Sequence, residues 1–180
     1  FVLAPLFVPL ALVIGLAIRL ESKGPIFFTQ RRVGLHGEEF ILFKFRSMFH
    51  SVSGEGARFA GEHDARVTKV GRIIRRFRLD ELPQVLNVIK GQMSLIGPRP
   101  EQPDIASRYL QSIPYYGFRH IVRPGISGWA QVSFRYAASD EETKRKLEYD
   151  FFYIKNMSFW LDLVVFLRTS VTILTGQGAR

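Results

Sequence analysis

Ile26-Phe27-Phe28-Thr29-Gln30-Arg31-Arg32-Val33-Gly34-Leu35-His36-Gly37-Glu38-Glu39-Phe40-Ile41-Leu42-Phe43-Lys44-Phe45-Arg46 decides the fold class. Two runs rich in Phe, Ile and Val, residues 26–32 and 39–46, flank the turn signal Gly34-Leu35-His36-Gly37. Apolar runs on either side of a glycine-bearing turn read as a β-hairpin. The rest of the chain reads as helix or loop. The hairpin therefore makes the fold α+β, mostly helical, with one small β element.

Working outward toward the N-terminus, Gly24-Pro25 breaks the chain, and residues 1–18 carry no charge. A straight helix of that length reaches roughly 27 Å, near the lower limit for a bilayer span. Pro5 and Pro9 interrupt it, and a proline inside a helix removes a hydrogen bond and bends the axis. Arg19, Glu21 and Lys23 end the run. The absence of a basic start and of a small-residue cleavage site argues against a signal peptide. A bent helix that enters one leaflet and returns is the leading reading, with a true span and a buried core helix as alternatives. The chain opens on Phe1 in mid-run, which predicts that more of an anchor lies upstream.

In the other direction, residues 47–63 are rich in Gly and Ser and read as a loop. From Arg66 to Phe77 the pattern turns helical. Ile73, Ile74 and Phe77 form one face, and Arg66, Lys69, Arg72, Arg75 and Arg76 the other, with no acid among them. A second helix is predicted from about Asp80, with Leu82, Val85, Leu86 and Ile89 on its apolar face and Gly91 as its stop. Residues 93–100 read as a loop ending in Gly97-Pro98-Arg99-Pro100. Residues 101–110 read as helix, 123–131 as a turn-rich segment, and 141–155 as a charged helix. Residues 159–174 form a helix, apolar at 160, 163, 164, 167, 171 and 174, that packs on the core or lies in a headgroup layer.

The 180 residues carry a formal charge of +9 and 47% hydrophobic content. That composition supports a real core and implies an anionic partner: nucleic acid, anionic lipid or a phosphorylated substrate. No cysteine is present, which excludes disulfides and thiolate chemistry. The four histidines, at 36, 50, 63 and 120, lack metal-ligand spacing. No Walker A loop, dinucleotide glycine loop or Gly-x-Ser-x-Gly is found. Nucleic acid is disfavoured, since no helix-turn-helix, zinc or aromatic RNP signature accompanies the charge.

Chemistry concentrates in Arg75-Arg76-Phe77-Arg78-Leu79-Asp80-Glu81-Leu82-Pro83-Gln84. Adjacent carboxylates after a block of cations have two readings. In one, Asp80 caps a helix and Glu81 is solvated. In the other, one carboxylate attacks phosphorus while its neighbour holds Mg²⁺. The nearby arginines then favour the ionised carboxylate. Arg99, fixed between two prolines, suits a phosphate clamp or is simply part of a turn. Lys44 and Arg46 alternate with Phe43 and Phe45, which puts both cations on one face of a strand.

These strings resemble the bacterial sugar transferase family, the monotopic phosphoglycosyl transferases. The resemblance runs from about Pro9 to the C-terminus. It rests on Gly24 to Gly34, Lys44-Phe45-Arg46-Ser47-Met48, Leu79-Asp80-Glu81-Leu82-Pro83-Gln84, Met93 to Pro100 and Arg123 to Val132, in that order. Glu101-Gln102-Pro103, Ile113-Pro114-Tyr115-Tyr116 and Gly176-Gln177-Gly178-Ala179-Arg180 are similar to the exopolysaccharide polyprenyl glycosylphosphotransferase branch.

The resemblance implies transfer of a sugar 1-phosphate from a UDP-sugar to undecaprenyl phosphate, with release of UMP. The expected setting is the cytoplasmic face of the bacterial inner membrane, with anionic lipid as a further partner. By likeness Asp80 is the catalytic nucleophile and forms a phosphosugar-aspartate. Glu81 shares the catalytic site and holds Mg²⁺, the implied cofactor. Lys44, Arg75 and Arg99 match substrate-phosphate positions. Pro9 matches the kink of a re-entrant membrane helix, although Val8 replaces the serine that often precedes it. Gln92 replaces an aspartate of many relatives. The expected division is a re-entrant helix at 1–22 and a catalytic domain at 23–180. Ordinary sugar transfer with release of UDP is the enzymatic alternative. A non-catalytic basic module that binds membrane or nucleic acid is the alternative of another class.

Overall fold

A computed structural model describes residues 4–49, 64–134 and 140–175, with the side chains of 4–7 and 140 left aside. The loop expected at 47–63 falls mostly outside these residues. The hairpin forms as the sequence predicts: β1 (Phe27–Val33) pairs with β2 (Glu39–Phe45) in an antiparallel two-stranded sheet. A short 3₁₀ turn, Leu35–Gly37, joins them, with His36 and Gly37 both at positive φ (53° and 83°). The chain divides into two compact units, and the hairpin contributes to both. One takes the strand ends Phe27–Phe28 and Phe43–Phe45, and the other takes Thr29–Leu42.

In the first unit, α1 (Ala4–Glu21) runs through Pro9 as one helix. Its Ile14 and Ile18, four residues apart, pack with Phe45 and with Ile74 of α2 (Lys69–Arg76). Burying an aliphatic side chain of this kind contributes about 1.5–3 kcal/mol. The rest of α1 stays open: Val8, Leu12, Val13, Leu16 and Leu20 are 56–78% exposed. Among the described residues no helix is long and apolar enough to cross a membrane.

Buried Arg46 closes the end of α1. Its Nη2 donates to the Ser22 carbonyl and hydroxyl oxygens (both 2.8 Å), and its Nη1 to the Lys23 carbonyl (3.2 Å). Lys44 and Arg46 therefore do different work, although their alternation predicts a shared face. The start of α2 is capped twice. Thr68 Oγ1 accepts from Gly71 N (2.8 Å), and the Glu21 carboxylate accepts from Lys69 N (2.6 Å) and Val70 N (2.9 Å). Gly71 is required there, because a Cβ would overlap the backbone carbonyl of Ser47.

Two helical readings need correction. In α2 only Ile74 of the apolar trio is buried, whereas Ile73 and Phe77 are exposed. No regular α-helix begins at Asp80: residues Leu79–Gln84 form a 3₁₀ turn, and α3 is only Val85–Ile89. Pro83 has no N–H to return to Leu79, so the α-type bond is missing and i→i−3 bonds such as Glu81 N to Arg78 O (3.1 Å) take over.

The second unit holds α3 onward. On α3 the buried residue is Asn87, while Leu86 and Ile89 face outward. Asn87 Nδ2 donates to the Ile41 carbonyl (2.7 Å) and to Gln92 Oε1 (2.9 Å); of the expected apolar face, Leu82 packs on the Ile14 cluster while Leu86 and Ile89 do not. The stretches read as loops at 93–100 and 123–131 contain a parallel pair, β3 (Ser94–Ile96) with β4 (Gly125–Ser127). α4 (Pro103–Ser112), α5 (Trp129–Ser133), α6 (Asp140–Lys155) and α7 (Phe159–Thr175) complete the unit. Its core joins Val33, Ala106, Ile113, Tyr116 and Leu147, beside a second cluster of Ile96, Tyr153 and Val165. On α7 Val165 is fully buried, but Trp160, Val164, Leu167, Val171 and Leu174 of the expected apolar stripe are exposed. That stripe is therefore an open face and not the packing face.

Candidate active site

Asp80 and Glu81 sit where α2 ends. Phe77 caps the helix, Arg78 adopts a left-handed conformation (φ 52°), and the 3₁₀ turn begins at Leu79. Positive φ in a residue with a side chain is uncommon and fixes a sharp change of direction. The turn therefore presents two consecutive carboxylates directly after the cationic helix. Glu81 is 8% exposed and Asp80 is half-buried. Lys44, on β2, reaches Glu81 with Nζ 2.9 Å from Oε1. This pair joins residues 37 positions apart, and both side chains are largely screened from water (17% and 9% exposed).

Arg75 lies in the last turn of α2, half-buried, and its carbonyl accepts from Arg78 N (3.0 Å). Arg66, read from the sequence as part of the helix, lies before α2 begins at Lys69, and it has an acidic partner. Asp64 binds Arg66 through paired hydrogen bonds, with Nη2 to Oδ2 at 2.6 Å. Those hydrogen bonds, with Arg75 adding to the field, hold the Asp64 carboxyl down to about 2. Helical spacing misses this partner because both residues lie before the helix and pair two positions apart.

The described residues contain no cluster of three or more His, Asp or Glu suited to a metal. Adjacent Asp80 and Glu81 are the carboxylates that could meet an ion such as Mg²⁺. That ion binds through one or two carboxylates and completes its shell with substrate phosphate and water. Lys44 already engages Glu81 Oε1, so the donor set suits an ion that arrives with an anionic substrate better than a resident structural cation.

Arg99 belongs to the second unit. Its turn, Gly97-Pro98-Arg99-Pro100, is anchored by Gly97 N, which donates to Ser127 O (2.9 Å), and by its carbonyls: Pro98 O accepts from Gly125 N (2.9 Å) and Pro100 O from Arg32 Nη1 (2.9 Å). Gly125 admits no Cβ, which would overlap the Gly97 backbone. Arg99 O accepts from Arg119 Nη2 (2.8 Å). Arg119 is buried, and its Nε and Nη2 both donate to Asp150 Oδ2 (3.2 and 2.9 Å), while Nη1 donates to Tyr116 Oη (2.9 Å). Lys146 Nζ binds Glu101 Oε1 at 2.6 Å beside them. No reading of the sequence picks out this cluster. The available signal was Asp150 falling with Thr143, Leu147 and Tyr153 on the buried stripe of α6.

The cluster sets a pH dependence. Burial opposes the Glu101 charge, but Lys146 and Arg119 outweigh it and hold the carboxyl at about 2. Burial, helped by Arg119, pushes His120 down to about 4. Both groups bind protons less readily folded than unfolded, so their stabilisation is complete above the unfolded values and fades as pH falls. For His120 the loss runs from about 6.5 to about 4. For Glu101 it runs from about 4.5 to about 2. Asp150, pushed up by burial against the pull of Arg119, works the other way. Urea titrations across these windows are expected to show stability falling on acidification. His120→Gln should remove the upper limb, and a flat wild-type profile between about 6.5 and 4 would contradict the assignment.

The model of the bacterial sugar transferase family matches residues 1–176. The chain is 55% identical, over 98% of its length, to a UDP-N-acetylgalactosamine-undecaprenyl-phosphate N-acetylgalactosaminephosphotransferase of Aeromonas hydrophila, of which it covers 42%. It is 45% identical, over 92% of its length, to a UDP-glucose:undecaprenyl-phosphate glucose-1-phosphate transferase of Xanthomonas campestris pv. campestris, of which it covers 35%. A UDP-glucose:undecaprenyl-phosphate glucose-1-phosphate transferase of Caulobacter vibrioides is 43% identical over 98% of the chain, which covers 67% of it. The chain thus spans about two fifths and one third of the first two relatives.

Proposed function

The chain belongs to the bacterial sugar transferase family, and from that premise we propose that it transfers a sugar 1-phosphate from a UDP-sugar to undecaprenyl phosphate. The observation that carries the proposal is the 3₁₀ turn at the end of α2. It presents Asp80 next to a Glu81 that Lys44 holds at 2.9 Å.

In the first step, a carboxylate oxygen of Asp80 forms a bond to the phosphorus that bears the sugar. The bridging P–O bond of the diphosphate breaks, and its electron pair leaves with UMP. In the second step, a phosphate oxygen of the lipid attacks the same phosphorus, and the aspartyl bond breaks. The product is a polyprenol diphosphate sugar, and Asp80 is restored. Two steps let a soluble donor and a lipid acceptor use one nucleophile in turn. The acceptor is already an oxyanion, so the second step needs little base catalysis. Mg²⁺, when bound, would supply charge neutralisation at the diphosphate. Glu81 would hold that ion with Lys44 orienting Glu81, and Arg75 and Arg99 would hold phosphate oxygens.

The proposed setting is the cytoplasmic face of the bacterial membrane, as the initiating step of exopolysaccharide or glycoconjugate assembly. The open aliphatic side chains of α1 and the exposed stripe of α7 support contact with lipid. The basic side chains of α2 support attraction to anionic headgroups. Under this reading α1 is the re-entrant helix; it stays one helix through Pro9, the residue that matches the family's kink.

The test is a panel of UDP-N-acetylgalactosamine, UDP-glucose and UDP-galactose, each with undecaprenyl phosphate and Mg²⁺, read as the nucleotide released. Lipid-dependent UMP is expected. Release of UDP would replace the scheme by ordinary sugar transfer, and no cleavage of any donor would favour a non-catalytic binding module.

A further inference from the structure

The Gly97–Pro100 turn carries a clue in how it is held. Prolines on either side of Arg99 restrict its backbone but cannot donate hydrogen bonds. Gly97 N donates to Ser127 O (2.9 Å) at the start of the turn, and beyond it the turn is held from outside through its carbonyls. Pro98 O is held by a backbone N–H and Pro100 O by Arg32. The central carbonyl, that of Arg99 itself, is held by Arg119. Arg119 is 3% exposed and contributes nothing at the surface. Its fork is shared: Nη2 spans Arg99 O at 2.8 Å and Asp150 Oδ2 at 2.9 Å, and Nε makes a second bond to the same Asp150 oxygen at 3.2 Å. Nη1 is taken by Tyr116 Oη at 2.9 Å, with Glu101 Oε1 at 4.0 Å.

A buried ion pair is not needed for stability, since apolar side chains of similar volume serve as well. What the pair adds is direction. Asp150, rooted in α6, locks the plane of the guanidinium, and the plane aims one N–H at a single backbone oxygen. A lysine ammonium keeps the charge but lacks the planar fork that reaches both oxygens. We infer that Arg119, oriented by Asp150, is a positioning residue that sets the backbone of Arg99 and so aims its guanidinium at a substrate phosphate. This rests on the transferase reading, in which Arg99 is the phosphate-holding residue. Arg119 touches no substrate and acts only through Arg99.

The experiment is a double-mutant cycle on the full chain, with Arg119→Lys, Arg99→Ala and the double variant assayed for UMP release, and with thermal unfolding of each. Arg119→Lys is expected to lower kcat/KM for the UDP-sugar by about tenfold, the size set by loss of one hydrogen bond from a charged donor. In the Arg99→Ala background the same change should lower it no further, because the side chain being aimed is gone. Asp150→Asn, nearly isosteric, should behave like Arg119→Lys, and Asp150→Glu should recover part of the rate. Losses that multiply in the double variant overturn the inference and make the pair a general support of the fold. Failure of both Arg119→Lys and Asp150→Asn to fold overturns it as well. Failure of the underlying transferase reading is distinguishable, because the wild-type protein would then release no UMP at all.

Discussion

Asp80→Asn is expected to abolish sugar-phosphate transfer, by about ten-thousandfold or more, while fold and vesicle binding persist. Asparagine has almost the same volume and keeps an acceptor oxygen, so the 3₁₀ turn at 79–84 should survive the change. What it loses is the anionic nucleophile. A neutral amide oxygen cannot form the acyl phosphate, and Glu81 is half removed from the task by its bond to Lys44. The decisive version is a single turnover without acceptor lipid, using donor labelled in the sugar. Wild-type protein should retain label on the peptide that contains residue 80, and the variant should retain none. Near wild-type turnover in Asp80→Asn would end the covalent scheme. Retained activity with no adduct would point instead to direct attack by the lipid phosphate on the donor.

The sequence exposes some of this arrangement and hides the rest for physical reasons. The hairpin was legible because strands of seven residues with a glycine-bearing turn carry enough periodicity to read. The parallel pair β3–β4 was not. Its strands are three residues long, and what holds them is backbone approach at Gly125, which leaves no apolar pattern. Apolar periodicity misled at Ile73, Leu86 and Ile89, which face outward, and along α7 it left two alternatives, of which packing on the core is not the one the exposed stripe takes. Period alone reports that one face is apolar; it does not say whether protein or lipid covers that face. Conversely, Asn87 and Asp150 sit inside, where composition leads one to expect aliphatics. In the site, Asp80 and Glu81 were legible as neighbours, and Lys44 as a strand cation whose place beside phosphate came only through family resemblance. The 2.9 Å bond from Lys44 to Glu81 closes 37 residues of chain, and no local rule predicts such a closure. Arg119 left no trace in the sequence reading, since an arginine among aromatics looks like surface until its partner 31 residues away is seen.

Lys44→Met is expected to cost both stability and activity, and the two losses should be separable. Lys44 and Glu81 are 17% and 9% exposed, so their attraction is screened less than that of a surface pair. Removing the cation leaves the Glu81 carboxylate in a largely dehydrated position without the charge that Lys44 places 2.9 Å away. Breaking such a pair from one side costs roughly 3 kcal/mol. Replacing both members should cost less, because Lys44→Met with Glu81→Gln leaves no buried charge behind. Denaturant unfolding should therefore rank the double variant above Lys44→Met. Activity should rank differently. If Glu81 holds the cation that accompanies the diphosphate, the double variant regains stability but no turnover, even at high Mg²⁺. Glu81→Gln alone should be as inactive as the pair. If turnover instead recovers in step with stability, Lys44 and Glu81 form a structural strut under the turn, and Asp80 works without either of them.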